Sequence, residues 1–210
     1  MLLLWFHGPM MKRLILASQS PRRKDLLEAA GYEFLVIPVK ISETLDKNLN
    51  LDAQIQDLAK RKSEALADSG NLLKDKGFLL ISADTVVVLG DEVLGKPANP
   101  RDAEEYLAKL SGQTHQVKTG VCFYDLDQDR AVTGIDTSHV TFFSLPMNAI
   151  REYVATGESL DKAGAYGIQG EARKFVREIQ GSYSNVMGLP LELVERMMRE
   201  NEWDVHRRKS

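Results

Sequence analysis

The sequence is poor in several features that define whole classes of protein. Its 210 residues include one cysteine, Cys122, so no disulfide can form within the chain, which is typical of a reducing compartment. Cys122 lies in the apolar run 121–124 and is predicted to be a small core residue. No apolar run approaches the roughly 20 residues of a membrane-spanning helix. The apolar start at 1–6 lacks the features of a signal peptide. We therefore expect a cytoplasmic protein without a membrane partner.

An excess of positive charge is also missing, and aromatic residues are few. The formal net charge is −3 and the aromatic fraction is 7%. A nucleic-acid-binding module would need a basic surface with interleaved aromatic side chains. We therefore predict no nucleic-acid partner, and any binding of phosphate must come from a local cluster of basic residues.

The apolar residues that are present predict a globular α/β protein. The hydrophobic fraction of 43% is ordinary, and strand-like and helical periods interleave, which indicates a mixed sheet. We assign one domain to 12–205, an N-terminal extension to 1–11 and a basic tail to 206–210. Predicted strands cover 14–17, 34–39, 77–89, 92–94, 117–125, 131–145 and 175–179, and predicted helices cover 21–30, 51–68, 100–111, 148–155 and 191–201.

The segment 18–23 is a candidate anion site. Ser18 follows a predicted strand, and Ser20-Pro21 opens a helix whose free N–H groups and dipole favour a bound anion. Arg22 and Arg23 add planar donors that match phosphate oxygens. Cations in a first helical turn oppose the dipole, so this pair indicates a bound anion more than a solvated surface. The segment is not a P-loop, because the glycine-rich loop and its Lys-Ser/Thr pair are absent.

A second candidate is Asp84, which lies in the apolar run 79–88. A buried carboxylate is costly unless it is paired, hydrogen-bonded or bound to metal, so we favour a functional role over a strand-end cap. Lys62 falls on the apolar stripe of the predicted helix 51–68, where snorkelling and function are equally good interpretations. Lys96 and Glu43, taken alone, predict nothing beyond surface charges.

The metal that this residue set suggests is a hard cation. No pair of His or Cys residues has the spacing of a zinc site, and His115 and His139 are isolated and predicted to be structural. An oxygen-ligated ion such as Mg²⁺ is the plausible metal. The glycine-rich segment 163–170 allows two interpretations, a mobile surface loop or a backbone that approaches a flat ligand closely.

Together, these stretches resemble the Maf family of nucleotide pyrophosphatases. Each match is weak alone, but the ordered set spans nearly the whole chain from Leu14. The matching segments are 16–23, 83–85, 95–97, 110–115, 161–170 and 186–190.

The resemblance implies a Maf-type fold related to the inosine triphosphate pyrophosphatases: an elongated mixed sheet with helices around two lobes and a central cleft. It implies hydrolysis of a nucleoside triphosphate to the monophosphate and pyrophosphate with Mg²⁺ or Mn²⁺, and a homodimer. By the family pattern Asp84 is the catalytic acid–base residue and a metal ligand, with Glu43 as a second ligand. The phosphate-binding positions correspond to Ser18, Arg23, Lys62 and Lys96.

Three positions carry the expected base specificity. The branch that acts on dTTP and UTP is expected to have the residues found here as Arg22, Thr85 and Gln169, whereas the 7-methyl-GTP branch typically has Trp, Gln and Glu. A glutamine amide both donates and accepts, which matches the edge of thymine or uracil. The alternative is a non-catalytic nucleotide-binding regulator of cell division or septum formation. That regulator would not need the buried acid Asp84.

Overall fold

The computed structural model describes residues 11–44, 46, 48–69 and 77–208. Its strands are β1 (Arg13–Leu16), β2 (Phe34–Val36), β3 (Phe78–Leu89), β4 (Glu92–Leu94), β5 (Thr114–Asp125), β6 (Arg130–Phe142) and β7 (Val176–Gln180). Its α-helices are α1 (Pro21–Ala29), α2 (Leu51–Asp68), α3 (Pro100–Leu110), α4 (Met147–Ala155), α5 (Tyr183–Met187) and α6 (Leu191–Glu200). The predicted elements are confirmed, with small shifts at their ends.

Helix α5 is the α-helix that the sequence analysis missed. Its 5 residues are too few to show an apolar stripe. Its local signals are at its ends: the Ser182 side chain accepts a hydrogen bond from Asn185 N, and Gly188 follows in the left-handed conformation with φ of 111°. α5 matters for function because the turn at Gly188 reaches the cleft described below.

The strands form one mixed sheet in the order β2-β1-β3-β5-β6-β7, with β4 also paired to β3. β1 is parallel to β2 and β3, and the remaining pairs are antiparallel. This confirms the predicted α/β class with a mixed sheet. No helix among the described residues is long and apolar enough to cross a membrane.

One edge of β3 is open over residues 82–86. Pairing of β3 with β1 ends at Ile81, where Ala17 N donates to Ile81 O. Pairing with β4 begins at Val87. Between these points no described strand covers this edge, so both faces of β3 are accessible from one side. Side chains that point to opposite faces of the strand can therefore line the same cleft.

Helix α2 lies unusually close to the sheet beside this gap. Gly120 of β5 is the register partner of Asp84, and a Cβ built on Gly120 would lie 2.9 Å from Ile55 O of α2. A glycine is therefore required for the observed approach. Ser82 Oγ donates to Ala59 O at 2.5 Å, which fixes α2 over the same face of β3.

The two largest hydrophobic clusters meet β3 on either side of its open edge. Leu79, Ile81 and Ala83 belong to one cluster, which also includes residues of α1 and α6. Val87 belongs to the other, which includes residues of α3 and α4. The long central strands thus join two packed regions, and the open edge lies between them.

Candidate functional site

A cleft of about 490 Å³ opens at the exposed edge of β3. The end of β1, the first turn of α1, α2 and the loop that follows α4 all contribute to its walls. Eight of the nine predicted site residues line it: Ser18, Arg22, Arg23, Glu43, Lys62, Asp84, Thr85 and Lys96.

Gln169 is the predicted site residue that the structure does not bring into the cleft. Its neighbours Gly167 and Ile168 line the cleft, whereas the side chain of Gln169 is exposed. Its assignment to base recognition stays a prediction.

The centre of the site is a chain of alternating charges. Lys62 Nζ lies 2.7 Å from Asp84 Oδ1 and 3.0 Å from Glu43 Oε1. Lys96 Nζ lies 3.8 Å from Glu43 Oε2. Asp84 and Lys62 are largely buried, with side-chain exposures of 13% and 12%. The ammonium group of Lys62 therefore does not snorkel to solvent but neutralises the acid on the strand.

The neighbouring cations affect the pKa of Glu43. Burial would raise the pKa of Glu43, but the hydrogen bond from Lys62 and the charges of Lys62, Lys96 and Arg23 hold that pKa below its ordinary value. The carboxylate is therefore ionised at neutral pH. An acid that looks unremarkable in sequence thus belongs to the charged centre of the cleft.

Arg23 connects three parts of the site. Its Nε donates to Gly188 O at 2.8 Å, and its Nη1 donates to Ala83 O at 2.8 Å and to Ser18 Oγ at 3.3 Å. Its Nη2 donates to Thr85 Oγ1 at 3.2 Å. Burial lowers the pKa of Arg23 from its ordinary value. Four of the five N–H donors of the guanidinium thus meet protein acceptors, so the predicted phosphate residue also has a structural role.

The start of α1 faces the cleft as predicted, but its cap differs in detail. Ser20 occupies the N-cap position without a capping side-chain bond. Instead, Ser18 Oγ accepts a hydrogen bond from Ser20 N at 3.1 Å. The first turn contains no acidic residue. The positive end of the helix dipole therefore stays available to an anion in the cleft.

The remaining specificity candidates occupy different positions in the cleft. Arg22 Nη1 lies 3.7 Å from Asp161 Oδ2 on the opposite wall. Thr85 Oγ1 is 3.0 Å from Thr119 Oγ1 on the next strand and also accepts from Arg23. Asp84 and Thr85 point to opposite faces of β3, and both reach the cleft because the edge between them is open.

The loop 163–170 is not a mobile surface segment over most of its length. Residues 164–168 are buried, and a Cβ on Gly164, whose φ is +66°, would lie 2.9 Å from Val87 side-chain atoms. Tyr166 Oη lies 2.8 Å from His115 Nε2, and burial lowers the pKa of His115 to about 4. His115 is thus a neutral core residue that holds the cleft loop, in line with its predicted structural role.

Sequence reasoning gave no role to Asp161 and Lys162, although both line the cleft. Lys162 Nζ lies 2.6 Å from Asp161 Oδ1 and donates to Glu158 O at 2.5 Å. The one sequence signal for these two residues is that they lie in segment 161–170, which resembles the Maf family. Nothing local to these two residues separates them from ordinary surface charges.

Glu43 and Asp84 are the predicted ligands of a divalent cation, and Asp161 is the third carboxylate that lines the cleft. No group of three or more His, Cys, Asp or Glu residues suited to a metal occurs in the described part of the chain. Mg²⁺ commonly uses one or two carboxylates and completes its shell with water and substrate phosphates. Two carboxylates bridged by Lys62 fit an ion of this type that is bound together with a triphosphate.

Comparison with known proteins gives consistent matches over the length of the chain. A family model described as Maf-like protein matches residues 13–201. The chain is 44% identical over 185 residues to a dTTP/UTP pyrophosphatase of Bdellovibrio bacteriovorus, covering 88% of this chain and 96% of the relative. It is 40% identical over 199 residues to a dTTP/UTP pyrophosphatase of Bacillus cereus, covering 95% of both chains. A solved structure of a nucleoside-triphosphatase (dITP/XTP pyrophosphatase) from Mycobacterium abscessus aligns with a TM-score of 0.44 at 9% identity, covering 90% of this chain and 96% of that chain.

Proposed function

The chain belongs to the Maf family, and we propose that it hydrolyses dTTP and UTP to the nucleoside monophosphate and pyrophosphate. Relatives 40–44% identical over most of both chains have the name of this activity. The observation that carries the proposal is the buried pair Asp84–Lys62, at 2.7 Å, on the open edge of β3. A cleft that only bound nucleotide would have no need of a buried acid.

The cleft has the charge that a triphosphate requires. Five cationic side chains and three carboxylates line it; the cations are Arg22, Arg23, Lys62, Lys96 and Lys162. The N-terminus of α1 adds the positive end of its dipole. These groups bind the phosphates and stabilise the negative charge that develops on the departing pyrophosphate.

In the proposed mechanism, a water attacks the α-phosphorus in line with the leaving pyrophosphate. Asp84 accepts a proton from that water. Lys62 orients the Asp84 carboxylate before substrate binds. Lys96 and Arg23 neutralise the phosphate oxygens as the bond to the leaving group breaks.

We assign the cofactor as Mg²⁺ or Mn²⁺, which Asp84 and Glu43 would hold. When bound, such an ion acidifies water and neutralises phosphate charge. We place the reaction in the cytoplasm, because the single cysteine, Cys122, fits a reducing compartment. The homodimer that the family resemblance implies stays a prediction.

The test is a screen of the purified protein against nucleoside triphosphates with Mg²⁺ or Mn²⁺, in which products are separated and pyrophosphate is distinguished from orthophosphate. We expect dTMP or UMP and pyrophosphate, with lower rates for ATP, GTP and 7-methyl-GTP. A preference for 7-methyl-GTP would overturn the assigned base specificity. Nucleotide binding without turnover of any substrate would favour the non-catalytic regulator.

A further inference from the structure

The loop that carries Glu43 is held by a residue that does not line the cleft. Arg61 Nη1 donates to Ser42 O at 3.1 Å, and Arg61 Nη2 donates to Thr44 O at 2.8 Å. These carbonyl groups belong to the residues directly before and after Glu43. One guanidinium group thus fixes the backbone on both sides of a residue of the charged centre.

Arg61 is itself fixed by its own helix. Its Nε donates to Asp57 Oδ2 at 2.8 Å, one turn earlier in α2. The planar guanidinium therefore bonds to one carboxylate and two carbonyl groups at the same time. A lysine ammonium is a point charge on a flexible stem and cannot reproduce this geometry.

The next residue of α2 binds the side chain of the same acid. Lys62 Nζ lies 3.0 Å from Glu43 Oε1 while it also contacts Asp84. The other hydrogen bonds among the described residues 41–44 join Ser42 to Thr44 within the loop. Two consecutive residues of α2 therefore hold Glu43, one acting on the backbone and one on the carboxylate, which Lys96 also approaches at 3.8 Å.

We propose that Arg61 is a positioning residue that sets the place of the Glu43 carboxylate in the cleft. Arg61 is absent from the cleft lining and acts through Glu43. The expected effect of Arg61 on turnover rests on the proposed function, in which Glu43 takes part in the hydrolysis. The effect on the loop itself is independent of the reaction.

The kinetic test compares Arg61→Ala, Glu43→Gln and the double variant. We expect Arg61→Ala to lower kcat/KM for dTTP by about 10- to 100-fold, because a displacement near 1 Å in a catalytic group has an effect of this size. In the Glu43→Gln background the same change should have almost no further effect, since Arg61 acts through that residue. Equal losses in both backgrounds would overturn the proposal.

Two matched variants separate positioning from charge and helix stability. Arg61→Lys retains a positive charge near Asp57 and should still lose activity. Full activity in this variant would overturn the proposal, because a lysine cannot span both carbonyl groups. Lys60→Ala removes the neighbouring cation of α2, which pairs with Glu64 at 3.2 Å, and should leave activity unchanged.

A measurement without nucleotide keeps the inference separate from the reaction. A glutamate-specific protease should cut after Glu43 several-fold faster in folded Arg61→Ala and Arg61→Lys than in the wild type or Lys60→Ala, with the product identified by mass. An unchanged cleavage rate in both Arg61 variants would overturn the proposal. Should the wild type hydrolyse no nucleotide, the proposed function fails while the protease result still decides the role of Arg61.

Discussion

Lys62 Nζ lies 2.7 Å from Asp84 Oδ1, and this buried ion pair joins helix α2 to the open edge of strand β3. The two residues are 22 positions apart in the sequence. Their contact depends on the close approach of α2 to the sheet that Gly120 allows. The proposed general base and its neutralising cation are thus placed by the packing of one helix on two strands.

Asp84→Asn should remove most of the turnover and leave the fold intact. The change removes a negative charge and a proton acceptor while the volume stays nearly constant. Loss of a general base typically lowers the rate about 10²- to 10⁴-fold. Initial rates with dTTP, together with a far-UV CD spectrum, check this prediction. A folded variant with near-normal turnover would remove Asp84 from its assigned role.

Arg23→Ala should reduce both stability and activity. It leaves the carbonyl groups of Ala83 and Gly188 without the donors they now have. An unsatisfied buried polar group costs about 1–3 kcal/mol, so the free energy of unfolding should fall by that order. Urea denaturation measures this change. Nucleotide binding to the folded variant measures the separate loss of a phosphate contact, and an unchanged affinity would show that Arg23 is structural alone.

His115 should make the stability of the protein depend on pH. Burial lowers the pKa of His115 from 6.5 to about 4, so the unfolded chain binds a proton at a higher pH than the folded one. The stability that the neutral residue contributes is fully present above pH 6.5 and is lost as the pH falls through about 4. The slope within this window is at most about 1.4 kcal/mol per pH unit.

The check is chemical denaturation of wild type and His115→Gln at several pH values between 4 and 7. Glutamine can still form a hydrogen bond with the hydroxyl of Tyr166 but does not titrate, so the slope in this window should become smaller. His139→Gln, at an exposed position of β6, is the matched control. Identical slopes in the wild type and His115→Gln would show that His115 does not cause the dependence.

Gln169→Glu should change base choice more than stability. The side chain is exposed in the described structure, so substitution should leave the free energy of unfolding nearly unchanged. A glutamate cannot donate to the edge of a pyrimidine, so kcat/KM for dTTP should fall roughly ten- to a hundredfold, with smaller losses for other nucleotides. Gln128→Glu, in the turn between β5 and β6, is the control for added charge. Equal losses for all nucleotides would assign Gln169 to the loop or the phosphates.

Much of the secondary structure could be predicted because its signals are local. The apolar period of α2 predicts its bounds as observed, Leu51–Asp68. Asn99 caps α3 through its side chain, and Gly90 makes the turn between β3 and β4 with φ of 59°. Each of these signals lies within a few residues of the structure it specifies. Helix α5 was missed for the same reason, since 5 residues are too short for a period to emerge.

By itself, the sequence determined the α/β class and, through the ordered motifs, the candidate residues of the site. The tertiary structure decided how they act together. It places Lys62 between Glu43 and Asp84, leaves Gln169 outside the cleft lining, and makes Arg61 the support of the Glu43 loop. The physical reason is that helix periods and caps arise between near neighbours, whereas an ion pair or a cleft depends on which distant segments pack together. In this protein that packing depends on a glycine under α2 and on a strand edge that its neighbours leave open.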